Sequence, residues 1–335
     1  MAQSTLIVSK NVKFAVADFE IRKNNHLERL NFDAEKFPHL VEAANFLKQS
    51  CLSYALQVDP KPSKALLQQF WFTVDKGSVV NKKGESIPAI SFTTQHGPGN
   101  ITALAVRTAL RFPSKIPKGF DPLTSDVELI QFLDHMEYQW DNKPRTTIPN
   151  KKLTKILKAN MPSEMNYIFT LIIQSVSGKI GSLDQATKIQ LQMGYSLLVG
   201  KHFDYAGAIF DDLLSKIEKP ERDAKIPYVR FISAILHFFL GQKYPTEGDC
   251  NFSKVGPCVL VVKPFENEVS LQNLRLRISS TSTTSVVTPM VHPLAIPTAT
   301  TPLKRQSIAL SGPSKKAEKT KESTPSLKEP EVVSQ

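Results

Sequence analysis

Between residues 163 and 241 four apolar stretches follow one another, each cut short by a glycine or a proline. "SEMNYIFTLIIQSVSG", "SLDQATKIQLQMGYSLLVG" and "DYAGAIFDDLLSKIEKP" read as three helices that end at Gly178, Gly200 and Pro220. "IPYVRFISAILHFFLG" reads as a fourth that ends at Gly241. Glycine just past the last apolar residue is the usual left-handed helix stop, and proline cannot continue a helix. Ser182 and Gln185 have the spacing of a capping box. Residues 168–173 and 231–240 are apolar nearly all round, which predicts two helices at the centre of a bundle. No repeat of solenoid length is visible.

Upstream, "PHLVEAANFLKQSC" sets Leu40, Ala44, Leu47 and Cys51 on one helix face. "DPKPSK" interrupts the helical pattern, because proline removes a backbone donor and restricts the residue before it. A second helix follows with Leu66, Leu67, Phe70, Trp71 and Val74 on a broad apolar stripe. Aromatics at helical spacing flanked by Leu and Gln are core residues. A nucleic-acid stacking platform would instead show them singly among basic residues.

"FTVDKGSVVNKKGESIPAISFTTQ" changes period, and its β-branched runs around a polar turn predict a hairpin near residues 72–94. "HGPGN" has neither the Walker ending nor dinucleotide glycine spacing, so it reads as a turn, with Asn100 as a cap for the helix of "ITALAVRTALRF". Ser125 and Glu128 form an S-x-x-E capping box before a helix that buries Leu129, Leu133, Met136 and Trp140. "KKLTKILKAN" reads as a short amphipathic helix.

The fold class that follows is mainly α: a multi-helix globular bundle with one small β-hairpin and a disordered C-terminal tail. Residues 1–36 read as an extended lead-in, 37–245 as the globular domain and 246–265 as an extended apolar segment. Residues 266–335, rich in Ser, Thr, Pro and Lys, read as the tail, since they lack the apolar surface to offset chain entropy. Within the tail, "LKRQS" and "SKKAEKTKES" set Ser and Thr beside basic residues.

Charge is the best functional signal. Lys and Arg number 42 against 31 Asp and Glu, a formal net charge of +11, which favours acidic partners. Two stretches, residues 107–118 and 143–158, carry Arg107, Arg111, Lys115 and Lys118, then Lys143, Arg145, Lys151, Lys152, Lys155 and Lys158. Arg107 and Arg111 are spaced for one helix face, as are Lys151, Lys155 and Lys158, and such rows neutralise phosphates without reading sequence.

Catalytic and metal-binding constellations are not apparent. Asp204, Asp211 and Asp212 lie near His202, yet Asp204 suits a helix cap and the other two an exposed face. Cys51, Cys250 and Cys258 are odd in number and lack the close pairing of a zinc site, with only His237 near the last two. They read as free thiols in a reducing cytoplasmic or nuclear setting, not in a secreted protein. No secretory leader and no membrane-length apolar run is visible. The expectation is a protein without enzymatic activity, cofactor, metal, membrane or small-molecule substrate.

A resemblance extends this reading. "FLKQSCLSYALQVDPKPSKALLQQFWFTV", "LRFP", "MNYIFTLIIQSVSGKIGSLDQATKIQLQMGYSLLVGKHFDYAGAIFDDLL" and "IPYVRFISAILHFFL" occur in this order over residues 37–241. The pattern resembles the plant transposon, gag-like group of retrotransposon-associated proteins. The resemblance implies a helical, retroelement-derived module in a plant, brings no established activity and carries over no catalytic residue. The leading reading is a non-enzymatic protein that acts through self-association or a protein partner and through weak, sequence-independent nucleic-acid contact. The chain departs from gag proteins that bear zinc knuckles, since it has no C-x2-C-x4-H-x4-C run. The alternative reading is a domesticated nuclear DNA-binding factor that uses the two basic stretches.

Overall fold

A computed structural model describes residues 25–27, 30–31, 35, 37–113, 125–140, 153, 156–179, 181–218, 226–245 and 269–281. All belong to one compact unit spanning residues 1–294. The segment 246–265 and residues 282–335 of the expected tail lie outside the described residues.

The chain enters its core earlier than the helical pattern indicates. Asn25 and Leu30, within the stretch read as a lead-in, are buried, and the His26 amide donates to the Gln174 carbonyl at 2.9 Å. A turn of 3-10 helix leads into α1 (Val41–Gln49), followed by α2 (Ser53–Gln57) and α3 (Lys64–Thr73). Leu40, Ala44 and Leu47 are buried, as are Leu66, Leu67, Phe70, Trp71 and Val74. Phe70 meets Trp71 edge-on at 5.1 Å, and these two aromatics line the core, while Tyr54 and Phe72 are half-buried.

The expected hairpin is present and larger. β1 (Asp75–Val80), β2 (Ser86–Thr94) and β3 (Gly97–Ile101) form an antiparallel sheet in that order. "HGPGN" is thus a turn followed by an edge strand, with Phe92 opposite Gly99 and Thr93 opposite Pro98. Proline is tolerated there because an edge strand has free amide positions. The next helix, α4 (Ala103–Ala109), is capped by the Thr102 side chain and not by Asn100, whose own side chain bonds Ser91 Oγ at 2.8 Å.

α5 (Asp126–His135) begins with the predicted capping box of Ser125 and Glu128. Leu129, Leu133 and Met136 are buried, while Trp140 lies beyond the helix, half-buried, its indole donating to Asp134 at 2.8 Å. Both Ser125 bonds to the Glu128 carboxylate favour its charged form, and with the Ser125 amide as the largest cause its pKa is held below the ordinary glutamate range. Folding therefore gains from this group above the ordinary range, and the gain is lost as pH falls through the lowered value. Thermal melts of wild type and Glu128→Gln should differ at neutral pH and converge in acid.

The helix expected over residues 151–160 is replaced, where described, by β4 (Ile156–Leu157) and a 3-10 turn over Lys158–Asn160. Ile156 pairs with Ala186 of β5 (Gln185–Ala186), and the Leu157 amide donates to the Tyr138 hydroxyl at 2.9 Å. Long-range pairing overrides a short amphipathic pattern.

α6 (Ser163–Leu171) runs into a π-helical turn, Ile172–Val176. α7 (Lys188–Val199) starts later than its pattern suggests, because Ser182 sits in a left-handed turn and Gln185 in β5. The capping box is made by Thr187 and Gln190 instead. Thr187→Ala is expected to lower stability by about 1 kcal/mol and Ser182→Ala by much less, read by chemical denaturation.

Gly200 ends α7 in the left-handed conformation. Gly178 does no such thing: the helix before it ends at Val176 with Ser177 as its extended cap, and the glycine makes room for the ring of Tyr228, whose Cε2 would lie 2.3 Å from an added Cβ. α8 (Tyr205–Glu218) and α9 (Val229–Leu240) follow.

Residues 168–173 are buried throughout, as predicted. α9 is buried only from Val229 to Leu236; Phe238 and Phe239 emerge 50% and 40% exposed.

α10 (Leu271–Thr281) is a further correction, since it occupies the start of the stretch read as tail. Val269, Leu271, Leu274 and Ile278 are buried against the main core. That spacing makes one apolar face, embedded in an otherwise polar segment. Among the described residues no helix is long and apolar enough to cross a membrane.

Candidate functional site

The basic stretches do not assemble into a phosphate-binding face where they are described. Arg107 lies on α4, its guanidinium 2.7 Å from Asp204 Oδ1 and donating to the Pro113 carbonyl at 2.9 Å. Asp204 also accepts from the Gly207 amide at 2.8 Å, so it caps α8 and anchors α4 to it. Arg111 does not share a helix face with Arg107, because α4 stops at Ala109.

The physical reason is a Schellman-type end. The Phe112 amide donates to Arg107 O and the Arg111 amide to Thr108 O, at 2.9 and 3.3 Å. Arg111 takes the left-handed position normally given to glycine, φ 55°. Its exposed guanidinium sits 4.2 Å from the centre of the Tyr54 ring. Lys158 belongs to no helical row: it lies in the 3-10 turn, and its ammonium donates to Thr170 Oγ1 at 2.9 Å. Lys115, Lys118, Lys143, Arg145, Lys151, Lys152 and Lys155 lie outside the described residues.

Arg107→Gln removes a half-buried ion pair and part of a helix anchor. It should lower stability by about 1–2 kcal/mol while leaving low-salt retention of duplex DNA on a filter unchanged.

The acidic cluster near His202 is also structural. Asp212 accepts from the Tyr228 hydroxyl at 2.6 Å and faces Lys216 at 3.4 Å. Tyr228 is buried in the left-handed region, φ 56°, and stacks on Phe231. Burial, and then the Asp212 charge, push its phenol well above the ordinary range, so it stays a protonated donor. Burial likewise raises the Cys51 thiol to about 12, which keeps it unreactive.

The most consequential ionisable group was not among the expected site residues. Arg230 is 0% exposed. Its Nε donates to Asn25 O at 3.0 Å, Nη1 to Ala55 O and Val58 O at 2.5 and 3.1 Å, and Nη2 to Ser175 O at 3.1 Å. Ala55 and Ser175 belong to the last turns of α2 and of the π-turn that ends α6, where carbonyls lack intrahelical partners and the helix dipole is negative. One guanidinium thus caps two helix ends.

Asn25 completes the knot. Its side-chain oxygen accepts from the Phe231 amide at 2.8 Å, supplying the cap that Tyr228 does not give α9. Burial lowers the Arg230 pKa to about 9, partly offset by Asp59, and the group remains charged at neutral pH. A lone arginine inside "IPYVRFISAILHFFL" is the sequence signal for this role.

The surface also carries exposed apolar side chains. Phe238 and Phe239 pack edge-on at 5.8 Å near the end of α9, with Phe92 of β2 6.3 Å from Phe239. Val127 on α5, Ile189 on α7 and Leu276 on α10 are 56%, 44% and 62% exposed. Among the described residues no group of three or more His, Cys, Asp or Glu is placed to hold a metal ion. No family model, no curated protein and no solved structure matches the chain.

Proposed function

We propose that this is a non-catalytic helical module of retroelement, gag-like origin that works through protein–protein contact, self-association first. The observation that carries the reading is the exposed Phe238–Phe239 pair over Phe92. Large aromatic side chains that stay half-exposed beside a filled core are what a contact surface offers a partner. Elsewhere in the chain, the charged groups of Arg107, Asp204, Asp212 and Arg230 are engaged in joining helices.

The test is light scattering of the full chain beside Phe238→Ser/Phe239→Ser. The double variant should lose assembled mass while its melting temperature stays near that of wild type, since both rings are already half in water. Unchanged assembled mass would refute the reading.

Arg111 supports a second reading, the DNA-binding factor, because it is exposed within the first basic stretch. Contact there would be sequence-independent and steeply salt-dependent. Charge reversal at Lys151, Lys152, Lys155 and Lys158 should then abolish filter retention of duplex DNA. Failure of the intact chain to bind at low salt would end that alternative.

A further inference from the structure

α10 is the only described element that follows the segment of residues 246–268, and it packs on α5 and α7. At about 3.3 Å per residue, that segment reaches up to about 75 Å, enough to deliver α10 to its own domain or to a neighbouring one. The docking is modular. Val269, Leu271, Leu274 and Ile278 provide the apolar contact.

Polar anchors lie at both ends of the helix. At its start, the Leu271 amide donates to the buried Glu164 carboxylate of α6 at 2.5 Å, so an acid from another helix occupies the positive end of α10. Toward its other end, Arg277 pairs with Glu137 at 2.7 Å and donates to His135 O at 3.4 Å. Arg275 lies over the Phe46 ring at 5.7 Å. The helix brings cations and the receiving surface brings acids.

Three exposed apolar side chains lie on the helices of this arrangement. Val127, Ile189 and Leu276 belong to the three helices that meet here. Val127 and Ile189 adjoin Asp126 and Lys188, which form an ion pair between α5 and α7 at 2.6 Å. They provide apolar surface for a neighbouring copy to cover.

We propose that α10 is an exchangeable helix: the surface formed by α5, α7 and the start of α6 accepts the α10 of a second copy of this chain. Each copy carries both halves of the contact, so reciprocal docking closes a two-fold dimer and one-way docking extends a chain of copies. A neighbour's helix competes with a copy's own as protein concentration rises. The exchange rests on the self-association reading and gives it a route.

Two full-length variants test it. Leu274→Asp/Ile278→Asp spoils the helix and keeps the receiving surface. Glu137→Lys/Glu164→Lys spoils the receiving surface and keeps the helix. Built on Phe238→Ser/Phe239→Ser, which silences the α9 patch, each alone should be a monomer by light scattering, with the wild-type circular dichroism of the remaining helices. An equimolar mixture should form a particle of twice the monomer mass. A mixture that stays monomeric while wild type assembles overturns the exchange and leaves self-association standing. A monomeric wild type overturns self-association itself.

Should the receiving-surface variant not fold, a labelled peptide of residues 267–281 is titrated into the Leu274→Asp/Ile278→Asp chain and into wild type. Binding to the variant should be tighter by about tenfold or more, because the wild-type surface is already filled. Equal binding, or none to either, contradicts the proposal.

Discussion

Arg230→Met is expected to destabilise the protein by about 3–5 kcal/mol, more than any other single substitution considered for this molecule. The methionine fills similar volume, so the loss is electrostatic and hydrogen-bonding in nature. Carbonyls of Asn25, Ala55, Val58 and Ser175 are left inside the core without their donor. A buried polar group stripped of its partner loses its hydration without replacement, about 1–3 kcal/mol each, with some relief from local rearrangement.

The unfolding midpoint should fall by about 10 °C or more. Arg230→Lys keeps the charge but not the planar fork, and it should fall between wild type and Arg230→Met. The exposed Arg277→Met serves as a control and should change stability by less than about 1 kcal/mol. Denaturant titrations that place wild type and Arg230→Met within about 1 kcal/mol of one another would show that these carbonyls find other partners.

Gly178→Ala should cost about 2–3 kcal/mol, through close approach and not through backbone freedom. An added Cβ would stand 2.3 Å from Tyr228 Cε2 and 2.8 Å from Asp212 Oδ2. The ring cannot swing away cheaply, because Asp212 holds its hydroxyl at 2.6 Å and Phe231 stacks against it at 6.0 Å. Gly194→Ala should behave similarly, with its Cβ 2.3 Å from Cζ of the fully buried Phe169. At Gly181 a methyl meets nothing within 4 Å, and that substitution should be neutral. A neutral Gly178→Ala would mean that Tyr228 is not fixed as described.

The parts of the fold legible in the sequence are those where one helix carries one uninterrupted apolar stripe. α1, α3 and α5 show this, and the Ser125–Glu128 box appears where its spacing places it. The failures share a cause, which is structure set by distant partners. β3 is built from Gly97, Pro98, Gly99 and Asn100, residues with little strand preference, closed by Ile101, and it exists because β2 supplies a ladder.

Residues 156–157 turn from helix to strand because Ala186 and Tyr138 offer their backbone groups better partners. α10 is hidden because Val269, Leu271, Leu274 and Ile278, set in a polar segment, gain meaning only against a surface elsewhere in the chain. The basic stretches were visible as composition, yet composition cannot show that Arg107 is committed to Asp204 or Lys158 to Thr170. Arg230 stood in plain view as one charge in an apolar run, and its partners lie on three separate segments.

The account turns on apolar surface, and not cationic surface, being the working face of the protein, and salt separates the two. Net charge of +11 repels copies of the chain from one another at low ionic strength, so screening should help apolar association and weaken phosphate binding. Light scattering of the intact chain from low to high salt should show a particle larger than the monomer whose mass holds or grows as salt is added. A monomer at every salt concentration that retains duplex DNA only at low salt would contradict the account.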